Sequence, residues 1–389
     1  MEPMWTREGV FAYPPQRLWA PLAAETAGQA WAAAARPGFP GDPLGLYVHV
    51  PAEAPGLDWL GCLQREAGAL RLPEGLAPRT LYVGGAGAGT LAKLETPAIA
   101  GLWTWLKRRF RLDRLRQTTA EVDAAELDGE KSAELRAQGV GRITARLPAG
   151  AGREAEHRRA RFAEGIELCR RGGVKTLCID LACGLESQPP GQAERELEFA
   201  LALRPDCVFL CEYGPPAGAA AAAERGRLRD RARCLEKHGR PAGAENLQLS
   251  DQWARNASFL GLGWGAVSHI RGRWVYGKAG SCADYARTLG SGRPPRLAAG
   301  RLTPAGERRA HIIRALEDTG RIDGSTFLGL FGVSPARAFP RELAGLSRVG
   351  LLTGSSMDFR VTSGGAEDRR LCARRFYAPE VLRRLPPEG

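Results

Sequence analysis

Two carboxylates, three thiols and two imidazoles stand where the chain pattern turns from strand to loop. Asp180 sits in Asp180-Leu181-Ala182-Cys183-Gly184-Leu185 and Glu121 in Glu121-Val122-Asp123, each at the end of a strand-like run. A carboxylate at a strand end suits a vicinal diol, from which it accepts two hydrogen bonds. The turn Gly84-Gly85-Ala86-Gly87 follows another such run. Without side chains it lets the backbone approach an amino-acid ligand, N–H groups first; an ordinary structural turn reads the same way. Cys62, Cys183 and Cys211, with His49 and His269, also fall near strand C-termini. Those donors could make a three-Cys or mixed Cys/His metal site. The plainer reading is a set of small buried thiols and a hydrogen-bonded histidine. No CxxC occurs; Cys207 and Cys211 are four apart, Cys178 and Cys183 five apart, and neither spacing is a zinc signature. No acid–base pair or nucleophile–His pattern argues for a hydrolase.

Alternating strand and helix signals must place these residues. Strand-like runs cover 46–50, 80–85, 118–123, 141–147, 174–181, 206–210 and 258–263; helical runs cover 92–110, 126–138, 154–172, 191–203 and 224–238. Such alternation predicts parallel β/α units, and six or so of them favour a partial or full (β/α) barrel, with functional residues at the C-terminal ends of the strands. The reading gives an N-terminal extension over 1–43, the α/β barrel over 44–296, and a small domain over 297–389. The last holds helices at 304–318, 323–332 and 336–349 and a two-stranded wing near 351–362.

Composition sets outer bounds. The chain has 389 residues, 44% of them hydrophobic and 25% charged, enough to bury a large core. The net charge of +12 raises the question of nucleic acid, but only six of the 55 basic residues are Lys and the arginines are dispersed, as at Arg108–Arg109 and Arg308–Arg309. Solvated helix faces explain them, so no nucleic-acid partner is expected. No 18-residue apolar run occurs, and residues 1–19 lack a basic stretch followed by an apolar one. No membrane span or signal peptide is expected, and the expected location is cytoplasmic, with the nine cysteines mostly reduced.

Residues 46–62, LYVHVPAEAPGLDWLGC, resemble the strand-and-loop signature YxHxPFCxxxCxxCGC of the oxygen-independent coproporphyrinogen III oxidase family, a group of radical S-adenosylmethionine (SAM) enzymes. Tyr47, His49, Pro51, Gly61 and Cys62 match it. The three cysteines that hold the family's [4Fe–4S] cluster fall on Glu53, Leu57 and Leu60, which cannot replace thiolates. The resemblance extends over roughly 44–362. Gly84 and Gly85 match the family's GGGT, Glu121 its E-[IV]-D, Asp180 the ribose-binding Asp of DLIYGLP, and Tyr213-Gly214 its YA. Val267 takes the place of an aliphatic contact to a second SAM, and Trp59 that of an aromatic beside the adenine. The resemblance therefore implies Tyr47, Trp59, Gly84, Gly85, Glu121, Asp180, Gly214 and Val267 as cofactor-binding positions, and a winged-helix-like C-terminal domain. It also shows losses: the Thr of GGGT is Gly87, the SAM-binding Arg falls at Ala155, the Gln of GVQ has no counterpart around Pro148, and the Pro of GLP is Glu186.

Losing both the cluster ligands and the SAM contacts implies a cluster-less homologue without radical chemistry, since the cluster delivers the electron that breaks the S–C5′ bond. By the resemblance, its ligand would be SAM or a tetrapyrrole such as haem, or its partner a paralogous radical SAM enzyme. Two other readings stay open: an active SAM-dependent oxidoreductase of porphyrin metabolism with a rebuilt metal site, and a structural interaction protein with an empty barrel.

Overall fold

The computed structural model describes residues 13–35, 44–51, 57–85, 90–185, 188–212, 223–224, 226–228, 257–355, 357–363 and 366–385. Fourteen strands occur among them, in chain order β1 Ala20–Leu22, β2 Gly45–His49, β3 Thr80–Gly84, β4 Gln117–Val122, β5 Arg142–Arg146, β6 Thr176–Cys183, β7 Cys207–Glu212, β8 Phe259–Leu262, β9 Val267–Ile270, β10 Trp274–Lys278, β11 Leu297–Arg301, β12 Arg321–Asp323, β13 Leu352–Ser355 and β14 Asp358–Val361. The described residues fall into two compact units: those of Met1–Gly45, Arg65–Pro73 and Gln248–Gly389, and those of Leu46–Gln64 and Glu74–Leu247.

The second unit is the β/α unit. Its strands lie in the order β2-β3-β4-β5-β6-β7, and the pairs from β3 to β7 are parallel. Each strand neighbours the next in sequence. A doubly wound sheet reverses its strand order partway; an unreversed order is that of a singly wound, partial (β/α) barrel. The crossovers are helices Thr96–Arg109, Gly129–Ala137, Arg153–Arg171 and Gln192–Ala202. Helix Thr96–Arg109 follows the chemistry of its ends. Pro97 stands in its first turn, where a missing N–H costs nothing, and Lys107, Arg108 and Arg109 complement its C-terminal dipole. Ile99, Leu102, Trp103 and Leu106 form its buried stripe. The run expected over 92–110 is thus two helices, Thr90–Lys93 and Thr96–Arg109, broken ahead of Pro97.

The other unit is antiparallel. Its strands run β1-β11-β10-β9-β8, with β1 on β11, β11 on β10, β10 on β9 and β9 on β8 all antiparallel. The strand expected over 258–263 is β8, and it opens this antiparallel meander: Gly263 and Gly265 adopt positive φ and turn the chain straight back into β9. Helix Ala24–Ala34 buries Ala27 and Trp31, and the Trp31 indole donates to the Tyr276 hydroxyl at 2.7 Å.

Toward the C-terminus, helices Pro304–Thr319, Gly324–Phe331 and Pro340–Arg348 pack with a three-stranded sheet in the order β12-β14-β13. The β13–β14 hairpin is the wing of a winged-helix-like domain. Ile312, Ile313, Leu316, Phe327, Leu343, Leu346 and Phe376 form its buried core. The helix expected over 336–349 is divided at Phe339, ahead of Pro340.

Candidate functional site

Side chains at paired positions of neighbouring parallel strands share a face, and successive residues alternate between faces. One face of the β/α unit carries Leu81, Val83, Ala120, Val122, Ile143, Ala145, Leu177, Ile179 and Val208, all buried and apolar. This is the face a β/α unit covers with its helices. The opposite face is polar. Tyr82 pairs with Thr119, Thr119 with Arg142, Glu121 with Thr144, Thr144 with Cys178, and Arg146 with Asp180. Charged and hydroxyl groups therefore line this side of the sheet, Arg142 at the start of β5 and Glu121 and Arg146 toward the ends of β4 and β5. Glu121 and Asp180 were read from the sequence. Thr119, Arg142, Thr144 and Arg146 were missed, although the alternation Arg-Ile-Thr-Ala-Arg over 142–146 carries the period-2 signal of a strand polar on one face.

Glu121 is fully buried. Its Oε2 accepts from the Tyr82 hydroxyl and from Gly85 N, each at 3.2 Å. Its Oε1 has no hydrogen-bond partner among the described residues. Burial, reinforced by the nearby charge of Asp180 and opposed by Arg146, pushes its carboxyl up to about 7. Burial likewise raises Asp180 to about 6, against the pull of Arg146 and Arg142. Tyr82 is held well above its ordinary value by burial and by the charge of Glu121. Asp123, the last residue of the E-V-D motif, is structural: it caps the following turn through Ala125 N at 3.1 Å and pairs with Arg158 at 2.8 Å.

The glycines of the turn have an internal explanation. A Cβ on Gly85 would stand 2.0 Å from the Val50 carbonyl oxygen. One on Gly84 would stand 2.5 Å from Glu121 Oε2. Glycine is needed there to let β2 and β3 meet closely and to let the Glu121 carboxylate lie across the strand end. On β2, Tyr47 and His49 are buried side by side, the phenol oxygen 2.8 Å from His49 Nδ1. Trp59 opens helix Trp59–Ala69 and donates from its indole nitrogen to the His49 carbonyl at 3.2 Å.

The positions that hold a cluster in the resembled family do not fit one. Leu57 is 37% exposed on the loop before that helix. Leu60 lies in the helix and turns toward helix Thr96–Arg109, where a Cβ on Gly101 would meet its Cδ2 at 3.4 Å. Neither leucine offers a donor. Glu53 lies outside the described residues. Cys183 and Cys211 do not converge: Cys211 pairs with Ala182 and Cys183 with Glu212, so the two thiols occupy opposite faces of adjacent strands. Cys62 is buried within helix Trp59–Ala69. Among the described residues no three His, Cys, Asp or Glu side chains come together to hold a metal ion. The cysteines were expected to be mostly reduced; one pair among the described residues is oxidised. Cys178 and Cys207, paired across β6 and β7, are joined as a disulfide with Cα atoms 4.8 Å apart.

Gly214 is outside the described residues. Val267 is on β9 of the antiparallel unit, buried in that unit's core. His269, on the same strand, is locked between the Ala257 carbonyl at 3.0 Å and Glu307 at 2.9 Å. A SAM-like group finds a partial fit in the β/α unit: Glu121 offers a buried oxygen without a partner among the described residues, and Asp180 stands on the same polar face.

No helix among the described residues is long and apolar enough to cross a membrane. No family model matches the sequence, and no curated protein matches it. Among solved structures, this fold is similar to that of coproporphyrinogen III oxidase (HemN) from Escherichia coli, a radical SAM enzyme, with a TM-score of 0.70 and 20% identity over 94% of this chain and 96% of that one.

Proposed function

We propose that this protein is a cluster-less relative of the coproporphyrinogen III oxidase-like radical SAM proteins and works by binding rather than by radical chemistry. The observation that carries the reading is local. Where thiolates would be needed stand an exposed Leu57 and a Leu60 turned onto a neighbouring helix, while Glu121 and Asp180 remain on the polar face of the sheet. A ligand is placed on that face, with Asp180 taking ribose hydroxyls and Glu121 a cationic or hydrogen-bond-donating group. S-adenosylmethionine meets both requirements. Tyr47, Trp59, Gly84, Gly85, Gly214 and Val267 are proposed with them on the resemblance alone. A tetrapyrrole is the second reading, favoured by Arg146, since guanidinium groups suit propionates.

The test has two arms. Anaerobic reconstitution with iron and sulfide should leave the protein without a stoichiometric cluster; about one cluster per chain would overturn the proposal. Thermal unfolding with SAM or haemin at saturating concentration should shift upward with one of them, because a ligand bound only by the folded state must stabilise it. No shift with either would refute the ligand-binding reading.

A further inference from the structure

Cys178 and Cys207 occupy directly paired positions on β6 and β7. Both are buried, with Cα atoms 4.8 Å apart, inside the range a disulfide spans without moving the backbone. Cys178 shares the polar inner face with Asp180, two residues on along the same strand. A cation is aimed at the pair. Arg142 Nη2 lies 2.9 Å from Cys178 Sγ and 3.8 Å from Cys207 Sγ. A guanidinium beside a thiol favours the thiolate, the nucleophile of disulfide exchange. A disulfide that served only to hold two strands together would need no such neighbour. The six other described cysteines form no disulfide.

We propose that Cys178 and Cys207 are a reversible redox modification site, oxidised by a low-molecular-weight disulfide and reduced again by a dithiol. The Cys178 thiolate attacks one sulfur of the oxidant and expels one thiol. The Cys207 thiolate then attacks Cys178 in the mixed disulfide and expels the second. Two protein S–H bonds are lost and one S–S bond forms. The two electrons and two protons reduce the oxidant to two thiols. Oxidation staples β6 to β7 and leaves Arg142 facing neutral sulfurs. Reduction gives Arg142 an anionic neighbour on the face that carries Asp180.

The test uses the full native chain, equilibrated against a series of reduced-to-oxidised glutathione ratios, then acid-quenched, unfolded and alkylated. Mass spectrometry should show two populations differing by two labels. The ratio of the two should follow the glutathione ratio in both directions, and the missing labels should map to Cys178 and Cys207. In C207S, one glutathione should instead remain disulfide-bonded to Cys178, for want of a resolving thiol. A fixed label count at every ratio, or a loss mapping to other cysteines, overturns the proposal. The wild-type result decides this even where C207S fails to fold.

Discussion

Replacing Glu121 with Gln tests whether the inner face carries a proton that the unfolded chain does not. The ordinary carboxyl value is 4.5 and burial brings Glu121 to about 7. Below the lower value both states are protonated and the group contributes no pH dependence. Between the two values the folded protein keeps a proton that the unfolded chain has released, so stability falls as pH rises. The slope reaches about 1.4 kcal/mol per pH unit for one proton, and over this interval it accumulates to roughly 3 kcal/mol. Above about 7 the loss is complete and the curve levels. Glutamine has the shape of the protonated acid. Its oxygen can accept from Tyr82 and Gly85 as Glu121 Oε2 does, and it never ionises. E121Q should therefore match the wild type near pH 4.5 and exceed it at pH 8, by as much as about 3 kcal/mol. Urea unfolding at pH 5, 6, 7 and 8 reads the difference directly. Asp180, raised to about 6, adds a decline of the same sign in both proteins. Parallel stability curves for the two proteins, or a less stable E121Q at pH 8, would refute the reasoning.

Three further outcomes are expected. G85A should cost about 3 kcal/mol or fail to accumulate as soluble protein, because its Cβ would stand 2.0 Å from the Val50 oxygen; G101A, whose nearest neighbour is Leu60 at 3.4 Å, should gain about 0.5–1 kcal/mol in chemical denaturation. K278M should cost about 3–5 kcal/mol, because it strands the buried Glu66, which Lys278 meets at 2.7 Å; in E66Q/K278M, where Tyr285 and Gly263 N still have a side chain to donate to, at least half should return. The Cys178–Cys207 disulfide closes a separation of 29 residues, so reduction should lower stability by on the order of 3–4 kcal/mol, and C178S/C207S should unfold identically with and without reductant.

The β/α alternation was legible because short apolar-rich strand runs alternate with long amphipathic helices, as at Thr176–Cys183 and Gln192–Ala202. Glu121 and Asp180 were legible because they end such runs. Arg142 and Arg146 were not, because an arginine in an arginine-rich chain reads as a solvated one; only the register of β5 against β4 and β6 turns them inward. The antiparallel strands β9, β10 and β11 escaped notice because they are four or five residues long and diluted by glycine, alanine and polar residues, as in Leu-Ala-Ala-Gly-Arg. The Glu66–Lys278 pair escaped for another reason: no local pattern links side chains 212 positions apart that only the tertiary fold brings together. The disulfide was hidden in the same way, since it follows from strand pairing rather than from cysteine spacing.

Strand β1 has a consequence for how the antiparallel sheet ends. A sheet edge offers a row of open backbone donors and acceptors, a template for another chain to add itself. Here the edge of β11 is covered by three residues, Ala20, Pro21 and Leu22. β1 is then the new edge, and it is a poor template: it is short, and Pro21 at its centre has no N–H to give. Residues 20–22 thus act as a guard strip. Removing them would expose the backbone of Leu297–Ala299 and turn a closed border into a site for strand addition between copies, so a chain shortened past Leu22 should aggregate through β11 while its β/α unit still folds.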